Sequence, residues 1–279
     1  MQEEIVVKAP TTEALTPAQI TQKAEDLGVT KTEMSFGRSF ALSIMAGAFI
    51  AMGAMFFSLV VGDPALPFAI QRVLGGFLFC LGLILVVVAG AELFTGNTMI
   101  VVTAASKRIK WSAVWKNWIV VFFGNFLGAL VIVGLVFLSD MSAMNGGQVG
   151  QTMVSVAAGK MHADWLVLFA KGIMCNFLVC LGVWMAYASK TVADKILAVV
   201  FPITAFVACG FEHCVANMFF LPMGALLASC GIAPAGIDPA SVNMLGALYN
   251  WSATVPGNIV GGALMVGMMY WFIYRKKKN

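Results

Sequence analysis

Long apolar runs with few or no charged residues alternate with short polar connections along most of this chain. The runs occupy residues 39–61, 73–106, 117–139, 165–189, 196–230 and much of 239–274. About 20 apolar residues are enough for one helix to cross the hydrocarbon core of a bilayer. The pattern therefore predicts an all-α polytopic membrane protein with six transmembrane helices.

Two of these runs carry an ionisable residue near the middle. Glu92 begins a polar interruption at residues 92–98 of span two, and Glu212 and His213 interrupt span five at residues 209–213. A charge at membrane depth costs roughly 3 kcal/mol on insertion scales, so such residues are functional candidates. We expect both helices to be broken at these points and the two breaks to meet near the membrane midplane.

One sequence pattern, N-W-x5-G-N-x2-G, occurs twice with the same spacing. Its copies are Asn117, Trp118, Gly124, Asn125 and Gly128 in span three, and Asn250, Trp251, Gly257, Asn258 and Gly261 in span six. Two halves of three spans each must have opposite orientation, so we expect inverted repeats at about residues 36–139 and 163–274. That arrangement, with one broken helix in each half, is typical of transporters and channels. The small residues also suit close helix packing, and both interpretations can hold.

Composition and charge agree with this topology. Hydrophobic residues make up 60% of the chain and charged residues only 11%, against ~25% charged in soluble domains. Fourteen of the 17 basic residues fall on the side shared by both termini; the other three are Arg72, Lys160 and Lys171. The positive-inside rule then predicts that both termini are cytoplasmic in a cell inner membrane. The formal charge of +4 follows the topology and does not indicate nucleic-acid binding.

The channel domain, residues 36–274, is expected to lie between a cytoplasmic segment, 1–35, and a basic cytoplasmic tail, 275–279. Residues 16–19 form a potential capping box with Pro17 at the first helical position. We predict a short amphipathic helix that ends near Gly28. Of two interpretations, a surface helix and a cytoplasmic lid, the surface helix is favoured. No secretory signal pattern opens the chain. Residues 140–163 are expected to form an external stretch.

The two breaks predict a binding site for a small anion. Broken helices in a bilayer must be buried in protein or line a polar cavity, and the N-termini of half-helices carry partial positive charge. His213 adds an imidazole that can donate a hydrogen bond or exchange a proton near neutral pH. Glu92 and Glu212, with Asn97 and Asn217, are expected to support the broken backbone instead of lining an anion path.

The sequence contains little that supports metal binding or enzymatic catalysis. Cys209, Glu212, His213 and Cys214 lie close in sequence, but neighbouring side chains on a helix point in different directions, whereas metal ligands must converge. No serine nucleophile motif or metal-ligand set lies at membrane depth. All six cysteines fall in apolar segments, which argues against a disulfide framework. We therefore expect no metal and no other cofactor.

Four stretches of this chain form a recognisable set: Leu93-Phe94-Thr95, the stretch from Lys116-Asn117-Trp118 to Gly124-Asn125, Gly210-Phe211-Glu212-His213 with Val215-Ala216-Asn217-Met218, and Gly257-Asn258. Together they resemble the formate/nitrite transporter family, and most closely its formate channel branch. The resemblance implies an aquaporin-like fold of six spans and a homopentamer in the lipid bilayer with one pore in each protomer. It also implies passage of small monovalent anions or their conjugate acids.

The same resemblance implies a role for individual residues. It implies an outer constriction of Phe79 and Phe206, an inner constriction of Leu83, Leu93, Phe94 and Val179, a polar chamber of His213, Thr95 and Asn176, and an outer-vestibule lysine, Lys160, that attracts anions. Gly96 and Asn97 depart from the family pattern, in which serine and threonine are common after the threonine. Lys171 matches no family position, so either the outer vestibule or a subunit contact is open to it.

Three functional hypotheses follow. The first is a channel for formate-like anions, coupled to protons through His213. The second is the same scaffold carrying nitrite, hydrosulfide or a neutral solute such as ammonia. The third, an intramembrane enzyme using Glu212 and His213, lacks the motifs noted above. Formate and nitrite are both small planar monoanions, so physical reasoning from the sequence does not rank one over the other.

Overall fold

A computed structural model describes residues 13–275 of the chain, and within this range the regular structure is entirely helical. Its α-helices are α1 (Pro17–Glu33), α2 (Phe36–Val61), α3 (Phe68–Leu85), α4 (Phe94–Asn97), α5 (Val101–Ala105), α6 (Trp111–Leu138), α7 (Gln148–Met161), α8 (Trp165–Ala188), α9 (Val192–Ala208), α10 (Cys214–Ser229), α11 (Met244–Ile259) and α12 (Met269–Tyr274). Short 3-10 helices span Thr98–Ile100, Met141–Ala143 and Pro239–Ser241, and π-helices span Val86–Gly90 and Val260–Met268.

Five continuous helical segments are long and apolar enough to cross a membrane. They are Phe36–Val61, Phe68–Gly90, Trp111–Leu138, Trp165–Ala188 and Met244–Tyr274. The predicted fifth span is instead two shorter helices, α9 with 17 residues and α10 with 16. Neither half alone reaches the length of about 20 residues that a straight span needs.

The helices are interrupted at both expected places. The π-helix after α3 ends at Gly90, which has a φ of 87°, and residues 91–93 are extended before α4 begins. This break is shorter than the predicted 92–98, because residues 94–97 already form a helical turn closed by the Asn97 amide donating to the Leu93 carbonyl at 2.9 Å. The second break, 209–213, has the predicted bounds, with Gly210 at a φ of 70°.

Glycines of the repeated pattern let the long helices approach closely. Helix α2 packs against α3 and α6, while α8 packs against α9 and α11. A Cβ atom added at Gly128 would collide with the Ile44 backbone carbonyl, and one at Gly261 with that of Ile173. Close packing is therefore one role of the pattern, as small residues at membrane helix contacts suggest.

Helix α1 begins as predicted but runs further. Thr16 and Gln19 form the capping box, yet the helix continues past Gly28 to Glu33. Gly28 is not a stop signal: an added Cβ would collide with the Thr103 hydroxyl, so glycine here permits α1 to lie against α5. Its buried residues pack on the bundle, which makes α1 more than an exposed surface helix.

The expected external stretch, 140–163, contains a further helix that the sequence pattern did not predict. Helix α7 buries Val149, Met153 and Val154 and packs against α10. Lys8 and residues 276–278, which entered the charge comparison, lie outside the described residues.

Candidate permeation pathway

Two cavities open at opposite ends of the bundle formed by α2, α3, α8 and α9. The first, here called the Lys160 vestibule, has a volume of about 270 Å³, and the second, the helix-1 vestibule, about 540 Å³. The Lys160 vestibule is lined by residues that include Arg72, Phe79, Lys160, Lys171, Phe206, Glu212 and His213. The helix-1 vestibule is lined by residues that include Lys23, Lys31, Arg38, Leu83, Glu92, Leu93 and Lys195.

Apolar side chains separate the two vestibules. Phe79 and Phe206 contact each other edge to face with ring centroids 5.7 Å apart, and each ring is only 2% exposed. Leu83 and Leu93 are likewise buried and lie at the floor of the helix-1 vestibule. A bare ion loses most of its hydration in such surroundings, which is costly, whereas a small neutral molecule loses far less.

Thr95, which follows the first break, and His213, which ends the second, meet in the buried region between the vestibules, and His213 also lines the Lys160 vestibule. The Thr95 hydroxyl lies 2.9 Å from His213 Nε2, and the amide of Ala216 donates to His213 Nδ1 at 3.0 Å. A backbone amide can only donate, so Nδ1 must be the unprotonated nitrogen. The neutral ring therefore carries its proton on Nε2 and donates it towards Thr95.

Asn176 joins the segment that follows the first break to helix α11. Its Nδ2 lies 2.7 Å from the Asn258 carbonyl oxygen and 3.1 Å from both the Thr95 carbonyl oxygen and the Thr98 hydroxyl. Asn176 is fully buried. It braces the backbone beside the Thr95–His213 contact, where the polar chamber is expected.

Four polar residues, here called the Glu92 clamp, hold the first break. Lys31 Nζ donates to Glu92 Oε1 at 2.7 Å and to Asn97 Oδ1 at 2.9 Å. Asn97 Nδ2 donates to Glu92 Oε2 at 2.7 Å and to Asn117 Oδ1 at 2.9 Å. Asn117 Nδ2 donates to the backbone carbonyl of Lys31 at 3.5 Å, which closes the network.

The Glu212 clamp repeats this network with the same residue types. Lys160 Nζ donates to Glu212 Oε1 at 2.9 Å, and Asn217 Nδ2 donates to Glu212 Oε2 at 2.7 Å and to Asn250 Oδ1 at 2.8 Å. Asn250 Nδ2 donates to the Lys160 carbonyl at 2.9 Å. Two bonds differ. Asn217 Oδ1 is buried without a partner among the described residues, whereas Asn97 Oδ1 accepts a hydrogen bond from Lys31 Nζ. Asn250 Nδ2 also donates to Glu212 Oε2 at 3.4 Å.

The second asparagine of each repeated pattern replaces helix hydrogen bonds at a break. Asn125 Oδ1 accepts from the Phe94 amide at 2.9 Å while its Nδ2 donates to the Glu92 carbonyl at 2.9 Å. Asn258 does the same for the Cys214 amide at 2.9 Å and the Glu212 carbonyl at 2.8 Å. Orphaned backbone groups inside a bilayer must find such partners.

The other two residues of the expected inner constriction, Phe94 and Val179, are buried. The Phe94 ring packs edge to face on Trp118 and Phe122, with centroids 6.2 and 5.3 Å away. Val179 is 1% exposed within α8. Leu83 and Leu93 line the helix-1 vestibule, whereas Phe94 and Val179 line neither vestibule; their place in an inner constriction stays a prediction.

The structure adds functional candidates that the sequence reasoning missed. Lys31 carried no signal, since it lies beyond the predicted end of the surface helix near Gly28, and its partner Glu92 is 61 residues away. The four asparagines of the repeated pattern, Asn117, Asn125, Asn250 and Asn258, were singled out only as a repeat. Their matched spacing was the available signal that they serve matched positions.

Both vestibules carry more positive than negative side chains. The Lys160 vestibule holds three cations against the single carboxylate of Glu212, and the helix-1 vestibule holds four cations against that of Glu92. Burial, and then the nearby charges of Lys195 and Lys190, lower the pKa of Lys23. Within residues 13–275, no group of three or more His, Cys, Asp or Glu residues converges as a metal site.

Known proteins are similar to this chain over nearly its whole length. A family profile described as formate/nitrite transporter matches residues 18–272. The formate channel FocA of Escherichia coli K12 is 39% identical over 275 residues, covering 95% of this chain and 96% of that protein. FocA of Haemophilus influenzae is 39% identical over 264 residues, covering 91% and 93%. A solved structure of a pentameric formate channel with formate bound superposes with a TM-score of 0.79 at 39% identity, covering 86% of this chain and 98% of that one.

Proposed function

Because this chain belongs to the formate/nitrite transporter family, and so is a membrane transport protein and not an enzyme, we propose that it carries formate and similar small monovalent anions across a membrane. Transport is linked to protons, and His213 aids protonation of the anion. The 39% identity to formate channels over most of the chain supports formate as the first substrate to test.

One arrangement carries this proposal: two electropositive vestibules separated by apolar residues on either side of a small polar chamber. Excess positive charge in a cleft raises the local concentration of anions. The apolar contacts of Phe79, Phe206, Leu83 and Leu93 then oppose passage of the bare charge. A weak acid that gains a proton between them passes as a neutral molecule.

The proton moves through His213 in this proposal. The neutral ring holds a proton on Nε2, the atom that faces Thr95. Transfer of that proton to a carboxylate oxygen requires another proton on Nδ1, taken from water of the adjoining Lys160 vestibule, and this proton displaces the hydrogen bond from the Ala216 amide. A negative charge in the chamber favours this exchange, because it stabilises the transient imidazolium. The neutral acid leaves, and the ring returns to its first tautomer by gaining a proton on Nε2 and losing one from Nδ1, both exchanged with water of the Lys160 vestibule.

The proposal extends to the internal repeats, the oligomeric state and the membrane topology of the protein. The matching networks of the Glu92 and Glu212 clamps support two inverted repeats, with Lys31 on α1 and Lys160 on α7 in equivalent places. The pentameric state of the similar channel supports a homopentamer with one pathway in each protomer. The charge asymmetry supports cytoplasmic termini in an inner membrane.

Flux measurements in proteoliposomes test the proposed function. We expect purified protein to admit formate down its gradient, with the lumen of the vesicles changing pH in step with formate entry. Protein-free vesicles provide the baseline for diffusion of formic acid. Formate uptake no faster than this baseline would contradict the channel, and formate entry without proton movement would contradict the coupling. Nitrite or hydrosulfide entering faster than formate would support the alternative substrates.

A further inference from the structure

Lys171 is a cation without an assigned role in the Lys160 vestibule. It lies two turns into α8 and lines the vestibule, where its side chain is partly buried. Its backbone carbonyl accepts from the Glu212 amide at 3.2 Å, which fixes its position beside the second break. Within residues 13–275 its ammonium group has no ion pair, and no hydrogen bond to its side chain is present.

The other two cations of this vestibule are already engaged. Lys160 pairs with Glu212 at 2.9 Å and lies 5.5 Å from the centroid of the Phe220 ring. Arg72 donates from Nε to the Ala208 carbonyl at 3.0 Å and from Nη2 to the Val207 carbonyl at 2.7 Å. These carbonyls end α9, where a helix carries partial negative charge.

These engagements change the field that an approaching anion meets. An ion pair acts at a distance as a dipole, and its attraction falls off more steeply than that of a single charge. The positive charge of Arg72 is partly offset by the end of α9. The charge of Lys171 is offset by no described side chain, so it dominates the attraction at the mouth of this vestibule.

We propose that Lys171 captures the small anion as it enters the Lys160 vestibule and that Lys160 chiefly holds the Glu212 clamp. This inference rests on the proposed function. Capture by a charge outside the apolar contacts accelerates entry and leaves the later steps unchanged. Its removal therefore raises the formate concentration needed for half-maximal flux and spares the maximal flux.

The test compares three variants in proteoliposomes at low and high ionic strength. Lys171→Gln removes the charge, Lys171→Arg keeps it, and Lys110→Gln removes one charge from an exposed residue outside both vestibules. At low ionic strength we expect Lys171→Gln to lower the initial rate of formate uptake at subsaturating formate by roughly threefold or more. Because salt screens such attraction, the difference from the parent should shrink at high ionic strength.

Several outcomes decide between this inference and its competitors. Parental rates for Lys171→Arg and Lys110→Gln, with a raised half-saturation for Lys171→Gln, support capture. Parental kinetics in the Lys171→Gln protein would overturn capture. If the parent protein still carries formate in the same experiment, the proposed function survives that result. A change of oligomeric mass by light scattering in Lys171→Gln overturns capture too, because Lys171 is then a subunit contact. A parent that carries no formate overturns the proposed function itself, and the capture role with it.

Discussion

His213 makes two hydrogen bonds with different chemical requirements. Its Nδ1 accepts the Ala216 amide and so holds the start of α10, while Nε2 lies against the Thr95 hydroxyl. The same ring therefore supports a helix terminus and presents a proton to the chamber. A useful substitution must separate these roles.

Asparagine at position 213 separates them. An Asn side chain can accept the Ala216 amide as an N-cap and donate towards Thr95, but it cannot take up a proton near neutral pH. We expect His213→Asn to fold and to transport formate more slowly or without the parental dependence on pH. His213→Phe, which lacks both hydrogen bonds, provides the comparison. Uptake measured from pH 5 to 8 that follows the parental profile would leave His213 as a hydrogen-bond donor only.

Leu83 and Leu93 form the apolar floor of the helix-1 vestibule, and their size should set what crosses it. We expect the double substitution Leu83→Ala and Leu93→Ala to widen the path and to admit larger or charged solutes. Leu197→Ala is a matched control, since Leu197 is 65% exposed on the outside of α9. Vesicle swelling and chloride flux measure the change. Unaltered selectivity in the double variant would contradict the role of these leucines.

Helix α1 is held on the bundle at several points, among them Lys31 to Glu92 and Asp26 to Arg108. The hydrogen bond from Arg108 is the main cause that holds the pKa of Asp26 below its usual value of 3.8. A carboxyl group with a lowered pKa stabilises the docked helix above its usual pKa, and that contribution is lost as the pH falls through the lowered value. Asp26 is exposed, so the effect is small.

Hydrogen exchange of residues 17–33 measures this docking. After correction for intrinsic exchange, we expect protection of α1 to be constant from pH 7 to 5 and to fall below about pH 4. Asp26→Asn should reduce protection at pH 7 and remove part of the acid dependence, whereas Asp194→Asn, at the start of α9, should leave α1 unchanged. Equal protection of the parent at pH 3 and pH 7 would show that this ion pair does not help to hold the helix.

At the scale of the whole molecule, many large apolar side chains are exposed on the surface of one protomer. Examples are Phe77 on α3, Phe123 and Leu135 on α6, Phe201 on α9 and Phe272 on α12. A membrane protein can cover such residues with lipid or with other copies of itself. Apolar exposure alone does not distinguish the two, but the pentameric relative does favour association.

We expect the purified protein to form a pentamer in mild detergent, five copies of the 29.7 kDa chain. Light scattering with subtraction of the detergent mass, or native mass spectrometry, gives the number directly. A monomer that still carries formate after reconstitution would contradict the proposed assembly.

Local properties of the sequence determined much of this protein. Apolar runs set the positions of the long helices, because a bilayer demands about 20 apolar residues for each span. Glu92 and Glu212 marked the two breaks, since ionisable groups at membrane depth need a compensating structure. The repeated asparagine and glycine pattern indicated that the two halves of the chain are related.

Tertiary structure alone decided how these parts meet. Lys31 reaches Glu92 across 61 residues and Lys160 reaches Glu212 across 52, and no local pattern specifies such pairs. Gly28 reads as the end of a helix in sequence, but its contact with Thr103 makes it a packing point. The neutral tautomer of His213 depends likewise on the Ala216 amide and the Thr95 hydroxyl. Hydrophobic periodicity reports which face of a helix is buried, whereas the partner of a polar side chain depends on where distant helices pack.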